Sequence, residues 1–137
     1  MQPSQKSALQ KAIDRIPLEF DRCDVYPYDF HGCENFHGAL ALGLASLGKK
    51  HGFETVFEYE VRDRGDGRRG FVDLVWIDPD GKPRAAIELD NSNNKKSLRK
   101  LMTVPAEARI WICWRAGRFY VDLPHAITAI FRERRYA

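Results

Sequence analysis

Apolar and polar positions follow two rhythms along this chain, one helical and one alternating. Between Ser4 and Ile16 the apolar residues Ala8, Leu9, Ala12, Ile13 and Ile16 recur at helical spacing, and Pro17 is expected to stop that helix. From Glu34 to about Lys50, Phe36, Leu40, Leu44 and Leu47 form a second helical stripe, closed by Lys49, Lys50, His51 and Gly52. Residues 17–32 carry Pro17, Pro27 and Gly32 among the aromatics Phe20, Tyr26, Tyr28 and Phe30. That mixture reads as an irregular loop packed by its aromatics rather than as a linker.

The rhythm then changes to a period of two. Phe53, Thr55, Phe57, Tyr59 and Val61 share one face of a strand, with Glu54, Glu58 and Glu60 on the other. A charged loop, Arg62 to Gly70, leads into the apolar run Phe71 to Ile77, broken only by Asp73. Asp78-Pro79-Asp80-Gly81 is a turn, because proline presets φ and glycine accepts φ > 0. The run Ala85 to Asp90 completes a hairpin whose strands are mostly buried. Ser97 to Met102 reads as a short helix with Leu98, Leu101 and Met102 inward, punctuated by Pro105. Arg109–Arg115 is a strong strand, Ala116-Gly117 a turn, and Phe119–Leu123 a shorter strand. Pro124 is expected to open a last helix with Ala126, Ile127, Ile130 and Phe131 as its apolar face, ending in a solvated basic tail, Arg132, Arg134 and Arg135. These elements predict one α/β domain with a central mixed sheet of about five strands flanked by helices.

The acids within the hairpin carry the chemistry. Glu88 and Asp90 are two apart on a strand, so they point the same way, roughly 7 Å apart at about 3.3 Å rise per residue. Asp73 on the partner strand is placed to converge on them. Carboxylates crowded in an apolar frame repel one another unless a cation or protons intervene, and an all-oxygen donor set suits Mg²⁺ or Mn²⁺. The competing reading is that acids at strand ends face water or pair with lysine and arginine.

Asp73, the hairpin, Ile87-Glu88-Leu89-Asp90 at the end of an apolar strand, and a following lysine-bearing segment with Lys100-Leu101 together resemble the PD-(D/E)xK nuclease superfamily. The core order of helix, three strands, helix and strand matches it as well. The resemblance spans about residues 33–123, with the N-terminal helix and loop (1–32) and the C-terminal helix (124–137) packed onto that core. It implies a restriction-endonuclease-like fold and metal-dependent hydrolysis of a phosphodiester, more readily of DNA. It also implies that Asp73 and Glu88 are metal ligands, with the Leu89 carbonyl assisting, and that Glu34 is the acid contributed by the first core helix. Glu34 has a second reading, since an acid in the first turn of any helix is electrostatically favourable.

The chain departs from the family pattern where it matters. The pattern places lysine two residues after Glu88, and this chain has Asp90. An aspartate there supplies no positive charge; it can bind a second cation or act as a general base. Lys95, Lys96 or Lys100, from the segment that follows, is then expected to restore the missing cation. Arg62, Arg64, Arg68 and Arg69 in the glycine-rich loop are candidate phosphate contacts, partly neutralised by Asp63 and Asp66.

Composition narrows the alternatives. The chain has 137 residues, 44% of them hydrophobic and 30% charged, with a net charge of +3, which permits nucleic-acid binding without demanding it. No apolar run approaches ~18 residues and no apolar core follows the first residues, so a cytoplasmic protein without a membrane span is expected. Three cysteines without CxxC spacing argue against a disulfide framework. Cys23, His31, Cys33 and His37 lie close enough in sequence to suggest a structural zinc, but their spacing matches no finger pattern, and buried thiols with surface imidazoles are the simpler expectation. Two other classes stay open: a binding module of the same fold with a decayed metal site, and a structural subunit packing Trp111, Trp114, Phe119 and Tyr120 onto a larger nucleoprotein assembly. A homodimer would suit cleavage of two strands.

Overall fold

In the computed structural model, which describes residues 6–25, 35–91, 95–114, 123 and 125–134, the Ser7 side chain accepts a hydrogen bond from Gln10 N and starts helix α1, Ala8–Asp14. Helix α2, Ile16–Val25, follows after a single residue. Pro17 therefore opens a helix instead of leading into a loop, because a proline in the first turn has no N–H that the helix would need. Ile16, Phe20 and Cys23 form the buried stripe of α2. The rest of the expected aromatic loop, including Tyr26, Tyr28 and Phe30, lies outside the described residues. Helix α3, Phe36–Lys50, is capped by Asn35, whose side chain accepts from Gly38 N at 2.7 Å.

The sheet has five strands in chain order: β1 Glu54–Val61, β2 Gly70–Ile77, β3 Pro83–Asp90, β4 Ala108–Cys113 and β5 Ile127–Phe131. The first two pairings are antiparallel and the last two parallel. Helix α4, Lys95–Thr103, connects β3 to β4, as a parallel pair requires. The turn between β2 and β3 is built by Asp78, whose Oδ1 accepts from Asp80 N and Lys82 N, while Gly81 adopts φ 82°.

The expected C-terminal helix is instead strand β5, parallel to β4 in a register that pairs Trp111 with Ala129. Its residues alternate, Ile127 and Ala129 packing on one side of the sheet and Ile130 on the other, the period of a strand rather than the one-sided stripe of a helix. The basic tail is also not a solvated helix end. Arg132 pairs with Asp21 at 3.0 Å, and Arg134 pairs with the buried Asp24 at 3.0 Å while its guanidinium lies 4.1 Å from the Phe36 ring centroid. These contacts clasp the end of β5 to α2 and α3. The expected strand 119–123 falls outside the described residues except for Leu123, which is not in a strand, and Arg135 lies outside as well. No helix among the described residues is long and apolar enough to cross a membrane.

Two cores result, one on each face of the sheet. Helices α1, α2 and α3 cover Leu74, Trp76, Ile87, Leu89, Ile110 and Ile112. Helix α4 covers Val75, Ala86, Trp111 and Cys113 with Leu98 and Leu101. The sheet is thus buried on both sides, as β2–β4 read in sequence.

Gly48 sets how closely α3 approaches the sheet. A Cβ there would lie 2.6 Å from Trp76 Nε1, the atom that donates to Leu44 O at 3.2 Å. Gly48→Ala is expected to push the indole aside, break that bond and cost about 1–3 kcal/mol. Urea denaturation of the variant checks this; a midpoint equal to wild type would show that the indole does not need the space.

Candidate active site

Asp73 and Glu88 meet because of register. Leu74 pairs with Ile87 at the last step of the β2–β3 ladder, so Asp73 lies just past its end beside Glu88, its Oδ2 accepting from Leu89 N at 2.7 Å. Their carboxyl groups are hydrogen-bonded to each other, and Glu88 is almost fully buried at 2% exposure. Burial first, then the neighbouring Asp73, pushes Glu88 up to about 9 in spite of the opposing Lys100 ammonium. Burial also pushes Asp73 up, but donors from His37, Glu88 and Leu89 N–H outweigh it and leave Asp73 below its ordinary value. At neutral pH the pair therefore holds one proton, carried by Glu88.

Lys100 is the cation that reaches this pair. Its Nζ lies 2.7 Å from Glu88 Oε1 and donates to Phe71 O at 2.9 Å. At this distance the ammonium opposes the rise in the Glu88 pKa without overcoming burial and Asp73. The helix determines which lysine arrives. Leu98 and Leu101 point into the core, Lys100 lies on the flank beside β2 and β3, and Lys95 and Lys96 stand exposed in the first turn. The expected substitute cation is thus Lys100, one full turn or more beyond the two lysines nearest in sequence.

Asp90 shares the face of Glu88 but is engaged elsewhere. Its Oδ2 accepts from Trp111 Nε1 at 2.7 Å, and its carboxylate is also bonded to the Ser97 side chain. Burial raises its pKa, with Ser97 and Trp111 holding it partly down. Among the described residues no three His, Cys, Asp or Glu side chains are grouped to hold a metal ion, while Asp73 and Asp90 still act on each other electrostatically. Asp90 ties β4 to the start of α4 and so helps to place Lys100.

Two residues join the site that the sequence pattern did not single out for it. His37, in the first turn of α3, has Nε2 3.6 Å from Asp73 Oδ2, and that contact raises the imidazole pKa against the effect of burial. Nothing in the sequence pattern links a helix start near residue 37 to a strand at 73. Glu58 sits on β1 across from Asp73, at the one step missing from the β1–β2 ladder, with a left-handed backbone (φ 50°) rare for such a residue in a strand. Its carboxylate also acts electrostatically on His37.

The remaining candidates fall elsewhere. Glu34, His31 and Cys33 lie outside the described residues. Cys23 is buried, 3.7 Å from Ala39 O, and burial pushes its thiol up to about 12, so it is neither a ready zinc ligand nor a nucleophile. Arg62, Arg68 and Arg69 are exposed on the β1–β2 loop, Arg69 lying 3.4 Å from Glu60. Arg64 is half-buried and pairs with Asp66 at 3.0 Å.

The fold and site define an α/β protein with a buried carboxyl pair and an adjacent lysine on a mixed five-stranded sheet. No protein-family model, curated protein or solved structure matches the chain.

The raised pKa of Glu88 makes stability depend on pH. The folded state binds the Glu88 proton more tightly than the unfolded chain, where the value is near 4.5. This contribution is complete below about pH 4.5 and is lost as pH rises through about 9. Metal-free wild type is therefore expected to lose on the order of a few kcal/mol across that window, and Glu88→Gln to lose much less. Denaturation midpoints at pH 5, 7 and 9 check it, and parallel pH profiles for the two proteins would count against the assignment.

Proposed function

We propose that this protein hydrolyses phosphodiester bonds of nucleic acid, DNA in the first instance, in a metal-dependent reaction on a restriction-endonuclease-like scaffold. The observation that carries this reading is the buried Asp73–Glu88 pair facing Lys100.

The residues fit a hard divalent cation. Asp73 and Glu88 offer oxygen donors only, with the Lys100 ammonium 2.7 Å from Glu88 Oε1. These two side chains would hold Mg²⁺ or Mn²⁺, which supplies charge neutralisation at a phosphate and a bound water of lowered pKa. Glu34 completes the set by resemblance alone.

The protein's own groups do the rest. Lys100 takes the role that the family pattern gives to a lysine at position 90, presenting an ammonium beside Glu88 where negative charge builds on a phosphate. Leu89 N–H, donating to Asp73 Oδ2 at 2.7 Å, fixes the orientation of that carboxylate. Asp90, braced by Trp111 and Ser97, is a positioning residue for α4.

A second reading is favoured by one feature, the aspartate at position 90: a nucleic-acid-binding module whose catalytic site has decayed. Two measurements separate them. Mn²⁺ is expected to raise the melting temperature of wild type but not of Asp73→Asn, with release of about one proton per ion, read by calorimetry in buffers of different ionisation enthalpy. Plasmid nicking with Mg²⁺ or Mn²⁺ is expected from wild type and lost in Glu88→Gln. Lys100→Met is expected to cut about 10²-fold more slowly while keeping the Mn²⁺ shift. No thermal shift and no cutting of plasmid, branched or single-stranded DNA by wild type would favour the decayed module.

A further inference from the structure

The β1–β2 loop, residues 62–69, is a built object rather than an open tether. Asp63 Oδ1 accepts from both Gly65 N and Gly67 N at 2.8 Å, and Arg64 N donates to Arg68 O at 2.8 Å. Gly65 and Gly67 take φ 111° and 80°, conformations that side-chain-bearing residues rarely adopt. Arg64 is folded inward onto Asp66, its Nη2 3.0 Å from Oδ2, with its Cβ only 2.9 Å from where a Cβ on Gly70 would lie.

The loop also lies against α4. A Cβ on Gly65 would stand 3.1 Å from Arg99 Cβ and 3.3 Å from its Cδ, and one on Gly70 would stand 3.3 Å from Lys100 Cδ. The two elements therefore form one surface. Helix α4, KKSLRKLMT, contains no acid, and Lys95, Lys96 and Arg99 lie on its exposed side at i, i+3 and i, i+4 spacing. The loop adds exposed Arg62, Arg68 and Arg69. Acids on this surface are Asp63, engaged by loop amides, Asp66, engaged by Arg64, and Glu60, facing Arg69.

We propose that the docked loop and the exposed side of α4 form a single track for the phosphate backbone of duplex DNA, with Arg99 and Arg68 as its phosphate contacts and Arg64 as an internal brace that touches no phosphate. The track runs beside Lys100 and so delivers a backbone toward the Asp73–Glu88 pair. Lys95 and Arg99 are about 6 Å apart along the helix, the rise of roughly two phosphates of one strand. The proposal deepens the nuclease reading by naming how its substrate is held, and it rests on that reading only for the purpose of the track.

Binding of a fluorescein-labelled duplex to the full chain, without divalent metal and over a range of salt, tests it separately from cleavage. Arg99→Gln and Arg68→Gln are each expected to weaken binding several-fold and to reduce the salt slope by about one. Gly65→Ala changes no charge but strains a φ 111° backbone and pits a Cβ against Arg99; the melting temperature is expected to fall by a few degrees, and binding to fall several-fold at a temperature where the variant is still fully folded. Lys11→Gln, on α1 at the opposite face of the sheet, is the charge control and is expected to bind as wild type. Loss of affinity in Lys11→Gln equal to that in Arg99→Gln would overturn the track in favour of diffuse charge attraction. Unchanged binding in Arg99→Gln and Arg68→Gln, or no duplex binding by wild type, would overturn it too. Wild type that binds with these sensitivities yet never cuts would support the track and sink the nuclease reading alone.

Discussion

Everything around the site depends on keeping the Glu88 carboxyl out of water. An ionised carboxylate isolated in a protein interior is costly enough that it takes up a proton or finds a cation. Here both occur in part: the proton is shared with Asp73 and the ammonium of Lys100 stands against Oε1. Each solution relies on a different piece of the fold. The shared proton needs the hairpin register that sets β2 against β3, and the ammonium needs α4 to lie across those two strands.

That dependence explains why so much packing is directed at α4 and at the back of the sheet. Leu98 and Leu101 anchor the helix in the apolar layer beneath it, and Asp90 links its first turn to Trp111 of β4. On the other face, Gly48 lets α3 close onto Trp76, so the strand carrying Asp73 is held from behind. Helix α3 also brings His37 to Asp73. The acid pair is therefore gripped from both layers, by an imidazole on one side and an ammonium on the other.

The hairpin and the acids on it were legible because strand alternation and turn chemistry are local. Asp73, Glu88 and the Asp78–Gly81 turn follow from a few residues each. The helical stripe of α3 was equally plain. What escaped was decided at long range or by one ambiguous residue. Pro17 can end a helix or begin one, and only the Ile16, Phe20, Cys23 stripe resolves the choice, a signal present in the sequence but masked by neighbouring aromatics. Ile127 to Phe131 has both helical and alternating character, and the parallel partner β4 selects the strand. His37 meets Asp73, and Glu58 acts on His37, only through tertiary packing, so no spacing rule could have joined them.

The position of the lysine shows how a site's chemistry can be separated from its sequence motif. A residue at position 90 on β3 must project to the same face as Glu88, and here that place is filled by a carboxylate bound to Trp111 and Ser97. A helix packed over the same face offers a second route to the same point, since its flanking side chains hang toward the strands beneath. Lys100 uses this route, with its stem against Gly70 and its ammonium between Phe71 O and Glu88. A lysine on the strand would have answered only to strand register. A lysine on α4 answers to the whole layer, including the Asp90 brace and the loop lying on Arg99, so the cation facing Glu88 and the exposed side of the helix are placed by the same packing.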